Sequence, residues 1–408
     1  MRDRAQHAIA ECRLIAGFTE EPGRTTRRFL TAPMHDVHAH LRGRMEAMGM
    51  TVHVDAAGNL RGLWQPPNGR TKRLILGSHI DTVPDAGAYD GVLGVVLALE
   101  WTQIAQQIAF SMPIEVIAFS EEEGVRYGVP FLGSRAVAGN FDMSMLTYED
   151  ASGIRMDNAI RAFGLDPGKI GDAAIDPAEV YGFVEIHIEQ GPVLEAEDLQ
   201  LGVVEAIIGQ SRLGFRFTGQ ANHAGTTPMN LRRDALTAAA EWITGVEATA
   251  QAEDGLVATV GKIELRPNAG NVIPGQVDLS LDLRHMRSRT RNWWARQLTN
   301  NASLIAHRRG IEVEWVEKMN ERAVEMEQYL TGRLASAVEA AGFPAKRMPS
   351  GAGHDAMIMA QRMPATMLFL RSPGGISHHP NEAVREEDVE ASLLVGREFL
   401  LQLARNVR

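Results

Sequence analysis

Cysteine is almost missing: Cys12 is the only one in 408 residues, so no disulfide can close within the chain, and the composition fits a reducing compartment. Long apolar runs are missing too. The best of them, GVLGVVLALEW from Gly91 to Trp101, falls well short of the roughly 18 residues that signal a membrane span. The opening stretch, MRDRAQHAIAECRLIAGFTEE, is interrupted by charges and lacks the apolar centre of a secretory signal, so a cytoplasmic protein is expected. Basic residues are in deficit, with 41 Lys and Arg against 51 Asp and Glu and a net charge of −10. That balance leaves no footprint for nucleic acid or an anionic membrane. An anionic substrate must be drawn by local charge. No internal repeat and no low-complexity tract is evident.

The patterns that are present fall into two styles. DVHAHLRGRMEAMGM has helical spacing, and TVHVDAAGNLRGLW reads as strand, turn at Gly58–Asn59, strand. KRLILGSHI and PIEVIAFS are continuous apolar runs, as expected of strands covered on both faces. A helix starting at Gly91 lies between them, so strand and helix alternate in the α/β manner. The middle of the chain runs strand SRLGFRFTG, helix RRDALTAAAEWITGVEATAQ, strands GLVATVGKIEL and QVDLSLDLRH, helix RTRNWWARQLTNNASLIAHRRG and strand IEVEWVEK. This β-α-β-β-α-β order is that of a small ferredoxin-like domain. ATMLFLR then resumes the first style. A chain of this length exceeds one core, and the expected organisation is a discontinuous α/β domain, 1–208 with 319–408, into which residues 209–318 are inserted.

Four polar clusters interrupt this framework. LILGSHIDTVPDAGAYDG ends a buried strand with His79 and Asp81 and places Asp90 before a helix. In open α/β sheets that carboxyl edge is where sites are built. Asp81 could fix the tautomer of His79, while Asp90 could equally be a helix N-cap. FSEEEGVRYGVPFLGS sets Glu121, Glu122 and Glu123 at the end of a second buried strand; either a solvated acidic loop or a cation would relieve their repulsion. In GFVEIHIEQGPVLE, Glu185, His187 and Glu189 alternate with apolar residues, as an edge strand with a solvent side would. GGISHHPNE presents His378 and His379 on a tight loop. One imidazole and several carboxylates gathered at two strand ends suit zinc, manganese or cobalt better than calcium. By contrast HDVHAH, with His35, His38 and His40, sits in an ordinary helical pattern and reads as a helix surface.

Taken together the clusters resemble the co-catalytic metallohydrolases of the M20 peptidase type. Within that type the match is to the amidase/carbamoylase branch: allantoate amidohydrolases, β-ureidopropionases and N-carbamoyl-L-amino-acid hydrolases. The resemblance runs through GNLRG, GSHIDTV, YDGVLGV, EEGVRY, FLGS, HIEQGPVLE, HAGTTPM, AGNVIPG, DLR, GAGHDA and GISHHPNE, in that order. It implies that His79, Asp90, Glu123, His187 and His378 hold two divalent ions (zinc, manganese or cobalt), with Asp90 bridging, Glu122 as general base and Asp81 orienting His79. Glu121 is then extra, and His378 is preferred to His379 because it follows the serine of GIS. Two ions about 3.5–4 Å apart can polarise an amide carbonyl between them.

The resemblance further implies that the inserted domain is a lid and dimerisation domain. His223 of ANHAGTTPM would stabilise the oxyanion in the active site of the other subunit of a homodimer. Asn271 and Arg284 would bind a substrate carboxylate, with Gln190 and His354 as further contacts; read without the family, Arg284 and Asp282 are a surface ion pair. DTVPDAGAYDG, GVRYGVPFLGSRAVAG and GQSRLGFRFTG are most similar to allantoate amidohydrolases, which convert allantoate to ureidoglycine, ammonia and carbon dioxide. N-carbamoyl-L-amino-acid or β-ureidopropionate hydrolysis is the alternative, and after it a di- or aminopeptidase. A non-catalytic binding protein of this fold would lack a ligand or the base, and none is missing.

Overall fold

The computed structural model describes residues 1–67 and 71–405. The chain divides into two compact units, Met1–Glu205 with Glu325–Arg408, and Ala206–Val324; the second is wider at both ends than 209–318. In the first unit, helices α1 (Arg2–Ala16) and α2 (Ala32–Ala47) precede strands β1 (Thr51–Val54), β2 (Leu60–Trp64) and β3 (Arg73–His79). Helix α3 (Val92–Gln107), β4 (Ile114–Phe119), α4 (Leu132–Val137), α5 (Met156–Ala162), β5 (Val180–Ile188), α6 (Val193–Ala196) and β6 (Leu201–Ile207) follow. The second unit contains β7 (Gly209–Thr218), β8 (Asn222–His223), α7 (Ala235–Ala252), β9 (Val257–Arg266), β10 (Val272–Ile273), β11 (Gln276–His285), α8 (Ser288–Arg308) and β12 (Glu312–Glu321). The chain returns through β13 (Val324–Glu325), α9 (Gln328–Ala340), β14 (Lys346–Ser350), α10 (Asp355–Met359), β15 (Ala365–Leu370) and α11 (Glu386–Arg405).

The first unit is a mixed α/β fold on a nine-stranded sheet of order β1-β2-β4-β3-β5-β15-β6-β13, with β14 paired to β6. The central strands β4, β3, β5 and β15 are mutually parallel, and β1, β2 and β6 add antiparallel pairs around them. Burial explains the sequence runs: β4 and β15 are buried at every position, and β3 at every position after Arg73. Helix α3 is apolar nearly all round and buried along most of its length, which is the mark of a helix inside a large fold rather than on its surface. Its glycine lets it close on the sheet: a Cβ at Gly94 would lie 2.0 Å from the Ile186 carbonyl oxygen. Parallel pairing sets His79 beside Phe119 and Phe369 beside His187, so the strand ends reach a common edge.

Two sequence expectations fail here. Strand β5 is not an edge with a solvent side; it lies between β3 and β15, and Glu185, His187 and Glu189 are all buried. Nor is HDVHAH simply a helix surface. His35 stacks on Phe163 with ring centroids 3.8 Å apart, and His38 is buried edge-on against the same ring.

In the second unit β12-β7-β11-β9 form an antiparallel sheet. Burial alternates along β7 and β11, as period-two strands with one covered face require. Phe215, Phe217, Leu281 and Leu283 pack with Trp242 of α7 and with Leu298 and Ile305 of α8. Strands β8 and β10 form a separate short ribbon. Among the described residues no helix is long and apolar enough to cross a membrane.

Candidate active site

Five side chains from four segments converge at the carboxyl edge of the first unit's sheet. His79 ends β3 and His187 lies near the end of β5, both fully buried. Asp90 precedes α3, and Gly91 follows it at φ 67°; a Cβ there would meet the His79 ring at 2.5 Å. Only a residue without a side chain lets the backbone cross the imidazole so closely. The His187 Nε2 is 3.1 Å from Asp90 Oδ1, and the His79 Nε2 is 3.6 Å from the same oxygen. On the other side of the carboxylate, His378 Nε2 lies 3.2 Å from Asp90 Oδ2 and 3.3 Å from Glu123 Oε1. His379 is turned toward its own loop, where Nδ1 accepts the Asn381 N–H at 3.1 Å.

The donor set fits divalent cations. His187 Nδ1 is 2.8 Å from the Ile188 carbonyl oxygen, and His79 Nδ1 is 3.1 Å from that of Asp81. A carbonyl only accepts, so both Nδ1 atoms carry protons and the Nε2 lone pairs face inward. Those two nitrogens are 3.4 Å apart, and Asp90 Oδ1, though buried, receives no hydrogen bond from the described residues. Among the described residues four groups meet the donor requirement, and two of them share Asp90: His79 with Asp90 and His187, and Asp90 with Glu123 and His378. Electrostatics agree. Burial opposes a charge on His79, yet Asp81 and Asp90 outweigh it and hold that imidazole well above its ordinary pKa; Asp90 acts likewise on His187. The position favours positive charge.

Glu122 is buried beside this cluster. Burial first, then repulsion from Glu123, Asp355 and Asp81, push its carboxyl well above the usual range against the attraction of His79. Asp81 holds Glu122 from behind: its carboxylate accepts the N–H groups of Glu122 and Glu123 at 3.0 and 3.1 Å, and Oδ1 lies 3.5 Å from His79 Nδ1. It thus ties the end of β3 to the loop after β4. Glu121, expected to be extra, is buried and accepts N–H groups from Phe29 and Arg126 at 3.1 and 2.8 Å. Gln190 donates to Asp90 Oδ2 and Ser377 Oγ at 3.0 and 3.1 Å, so its amide serves Asp90 directly. His354 is buried, its Nε2 is 2.9 Å from Ser350 Oγ, and burial and the neighbouring His187 hold it well below its ordinary pKa, hence neutral. With Pro130, Phe131 and Gly353, the Asp90 cluster, Glu122, Gln190 and His354 line an open pocket of about 200 Å³.

The remaining predicted residues stand on the second unit. His223 is exposed on β8, and its Nδ1 accepts the N–H groups of Gly225 and Thr226 at 3.0 and 3.2 Å. Asn271 adjoins β10, and its carbonyl accepts the Ala224 N–H at 2.9 Å, so the ribbon brings these two segments together. Arg284 on β11 donates from Nε to Asp282 Oδ1 at 2.9 Å, the ion pair expected from its place on the strand.

Several site residues escaped the sequence reading. Glu382 accepts the Tyr89 and Asp90 N–H groups, and Ser377 lies between Asp90 and Glu382. Glu185 accepts from Ser78 Oγ at 2.9 Å and from the Ala356 N–H at 2.8 Å, joining β3, β5 and α10. Phe131 walls the pocket at φ 66°, a strained conformation for a bulky residue. Glu382 and Glu185 lie inside motifs already singled out, but nothing in their local pattern separates a buried tie from a solvated charge.

This arrangement has relatives. Residues 75–406 match the model of the peptidase family M20/M25/M40. An allantoate deiminase of Arabidopsis thaliana is 38% identical, covering 96% of this chain and 81% of its own. An N-carbamoyl-L-amino acid amidohydrolase of Geobacillus stearothermophilus is 37% identical over 94% of each chain. The crystal structure of an amidase of the hydantoinase/carbamoylase family from Burkholderia multivorans superposes with a TM-score of 0.89, at 31% identity over 98% of each chain. An Asp90-centred set of histidines and carboxylates at the edge of this sheet, and a family match that spans most of the sequence, lead to one conclusion: the chain belongs to the peptidase family M20/M25/M40.

Proposed function

We propose that this protein is a divalent-metal-dependent amidohydrolase that cleaves a ureido or carbamoyl C–N bond in a carboxylate-bearing substrate. Its proposed substrate is allantoate, converted to ureidoglycine, ammonia and carbon dioxide. The observation that carries this reading is the convergence of His79, His187, Glu123 and His378 on the two oxygens of Asp90, with Glu122 beside them. Two ions of zinc, manganese or cobalt held there would polarise the scissile carbonyl and make an attacking water acidic at neutral pH.

The chain's own groups do the rest. Glu122 takes the proton of the attacking water and delivers it to the departing nitrogen; a carboxyl lifted by burial suits a group that must hold a proton between the two steps. Asp81 fixes Glu122 through its backbone N–H, and Gln190 keeps Asp90 Oδ2 turned toward the His378 side. His354, neutral at working pH, offers the substrate a hydrogen bond rather than a charge. The second unit, with its β-α-β-β-α-β order, is the proposed ferredoxin-like lid and dimerisation domain. Asn271 and Arg284 bind the substrate carboxylate, a task that suits a planar guanidinium. His223 acts across a homodimer on the oxyanion at the other subunit's site. A second reading, N-carbamoyl-L-amino-acid hydrolysis, draws on the near-equal identities to the two kinds of relative.

The test is hydrolysis of allantoate, N-carbamoyl-L-amino acids and β-ureidopropionate, read as released ammonia, and of a dipeptide, read as released amino acid, each with Mn²⁺ and after chelation. Allantoate is expected to react fastest, with activity lost on chelation and regained with metal. Preference for the carbamoyl amino acids moves the assignment to the second reading. Preference for the dipeptide, or activity that survives exhaustive chelation, overturns both.

A further inference from the structure

We propose that Glu382 is a positioning residue that fixes the cation position formed by Asp90, Glu123 and His378, by clamping the backbone at Tyr89–Asp90 and tethering it through Ser377 to the loop that bears His378. The inference rests on reading those three residues as metal ligands. Glu382 Oε1 accepts two consecutive backbone donors, the N–H of Tyr89 at 2.9 Å and of Asp90 at 3.0 Å. Its Oε2 is 3.3 Å from Ser377 Oγ, and that hydroxyl is 3.2 Å from Asp90 Oδ2. Glu382 is 6% exposed, and the opposing backbone makes room for it, since a Cβ at Gly87 would lie 2.4 Å from the Glu382 Cβ. A carboxylate on paired amide donors forms stronger, shorter bonds than a neutral acceptor.

The two cation positions are built differently, and this gives the tie its consequence. His79 and His187 stand on β3 and β5, in the parallel centre of the sheet, where strand pairing fixes their backbones. His378 stands on a loop, at φ 54°, with its side chain 48% exposed, and Glu123 also lies outside any strand. Their shared partner Asp90 is itself on a loop. The position on the His378 side therefore depends on ties within and between loops: Glu382, on the same loop as His378, reaches the Tyr89–Asp90 backbone through Oε1 and its own loop's Ser377 through Oε2.

The experiment uses the full chain stripped of metal and titrated with Mn²⁺, with free and bound ion followed by electron paramagnetic resonance. The wild type is expected to take up two equivalents. In Glu382→Ala the second equivalent should bind about 10–100-fold more weakly, the usual effect of removing a group that supports a ligand, while the first changes less than about threefold. Glu382→Gln, which keeps one acceptor oxygen, should recover most of that loss. Ser377→Ala should weaken the second equivalent alone, and these two variants decide the matter if Glu382→Ala does not fold. Equal weakening of both equivalents, or no weakening of either, in variants with wild-type circular dichroism overturns the inference. A wild type that takes up no Mn²⁺ overturns the metal reading beneath it, which separates the two failures.

Discussion

His38 and His79 are both buried histidines, and they differ in their neighbours. Burial, with His35 and Arg42 adding positive charge nearby, pulls His38 down to about 4, and its Nε2 has no hydrogen-bond partner among the described residues. Burial acts on His79 too, but Asp81 and Asp90 reverse it. What separates a core histidine from a site histidine is therefore the carboxylate beside it, which HDVHAH does not reveal because its partners are remote in sequence. The sign of the His38 effect follows from linkage. An unfolded histidine binds its proton near 6.5, the folded one near 4, so His38 supports the fold above pH 6.5 and that support is lost as pH falls toward 4. The full span amounts to about 3 kcal/mol. Urea unfolding at pH 7.5 and pH 4.5 should show a smaller acid loss in His38→Gln than in wild type; equal losses would contradict this.

Glu122 and Glu123 make a second test at this scale. Glu122→Gln should retain its metal and lose about 10²–10⁴-fold in kcat, the usual contribution of a general base, whereas Glu123→Gln should lose metal on the His378 side. Elemental analysis beside kinetics checks both, and metal lost from Glu122→Gln instead would mean that the two roles are exchanged. The triplet is legible only in part. Its place at the end of a buried strand was visible, but Glu121 as a buried acceptor for Phe29 and Arg126 depends on contacts from another segment.

Among the elements, β3, β4 and β15 were legible because both faces are covered and every position reads apolar. Strand β5 was misread for the same physical reason in reverse. Glu185 is buried in hydrogen bonds with Ser78 and Ala356, and His187 faces Asp90 rather than solvent, so period-two alternation gave the wrong face to water. The loops of the site were the least legible. Glu121, Phe131, Gln190 and His378 all adopt positive φ, against the preference of their own side chains, and tertiary contacts alone decide that. The pairing of α3 with the sheet offers a prediction at this level. A Cβ at Gly94 would sit 2.0 Å from the Ile186 carbonyl and 2.8 Å from the Ser78 Cβ, between the strands that carry His187 and His79. Gly94→Ala should destabilise the protein by about 2–3 kcal/mol, as overpacking does, read as a lower denaturation midpoint; a midpoint unchanged within error would show that helix and strands can part without cost.

For the whole molecule, β15 repeats after the middle of the chain the continuous apolar style of β3 and β4. The short ribbon of β8 and β10 was not readable, because two-residue strands carry no periodicity. A protein of net charge −10 that gathers Asp90, Glu122 and Glu123 at one sheet edge should be stabilised by the cations it binds, because a ligand held by the folded state alone shifts unfolding by mass action. Thermal unfolding should accordingly occur at a lower temperature after chelation and recover with Mn²⁺, and a midpoint indifferent to metal would count against the site. Activity restored on mixing inactive His223→Ala with inactive Glu122→Gln subunits would support a site completed across a homodimer; no recovery would place His223 elsewhere.

The most direct measurement is anomalous diffraction from crystals of the Mn²⁺-loaded protein. Two peaks are expected about 3.5–4 Å apart on either side of Asp90, one among His79, Asp90 and His187 and the other among Asp90, Glu123 and His378. Absence of any peak at Asp90, with these side chains bonded only to one another, would contradict the account.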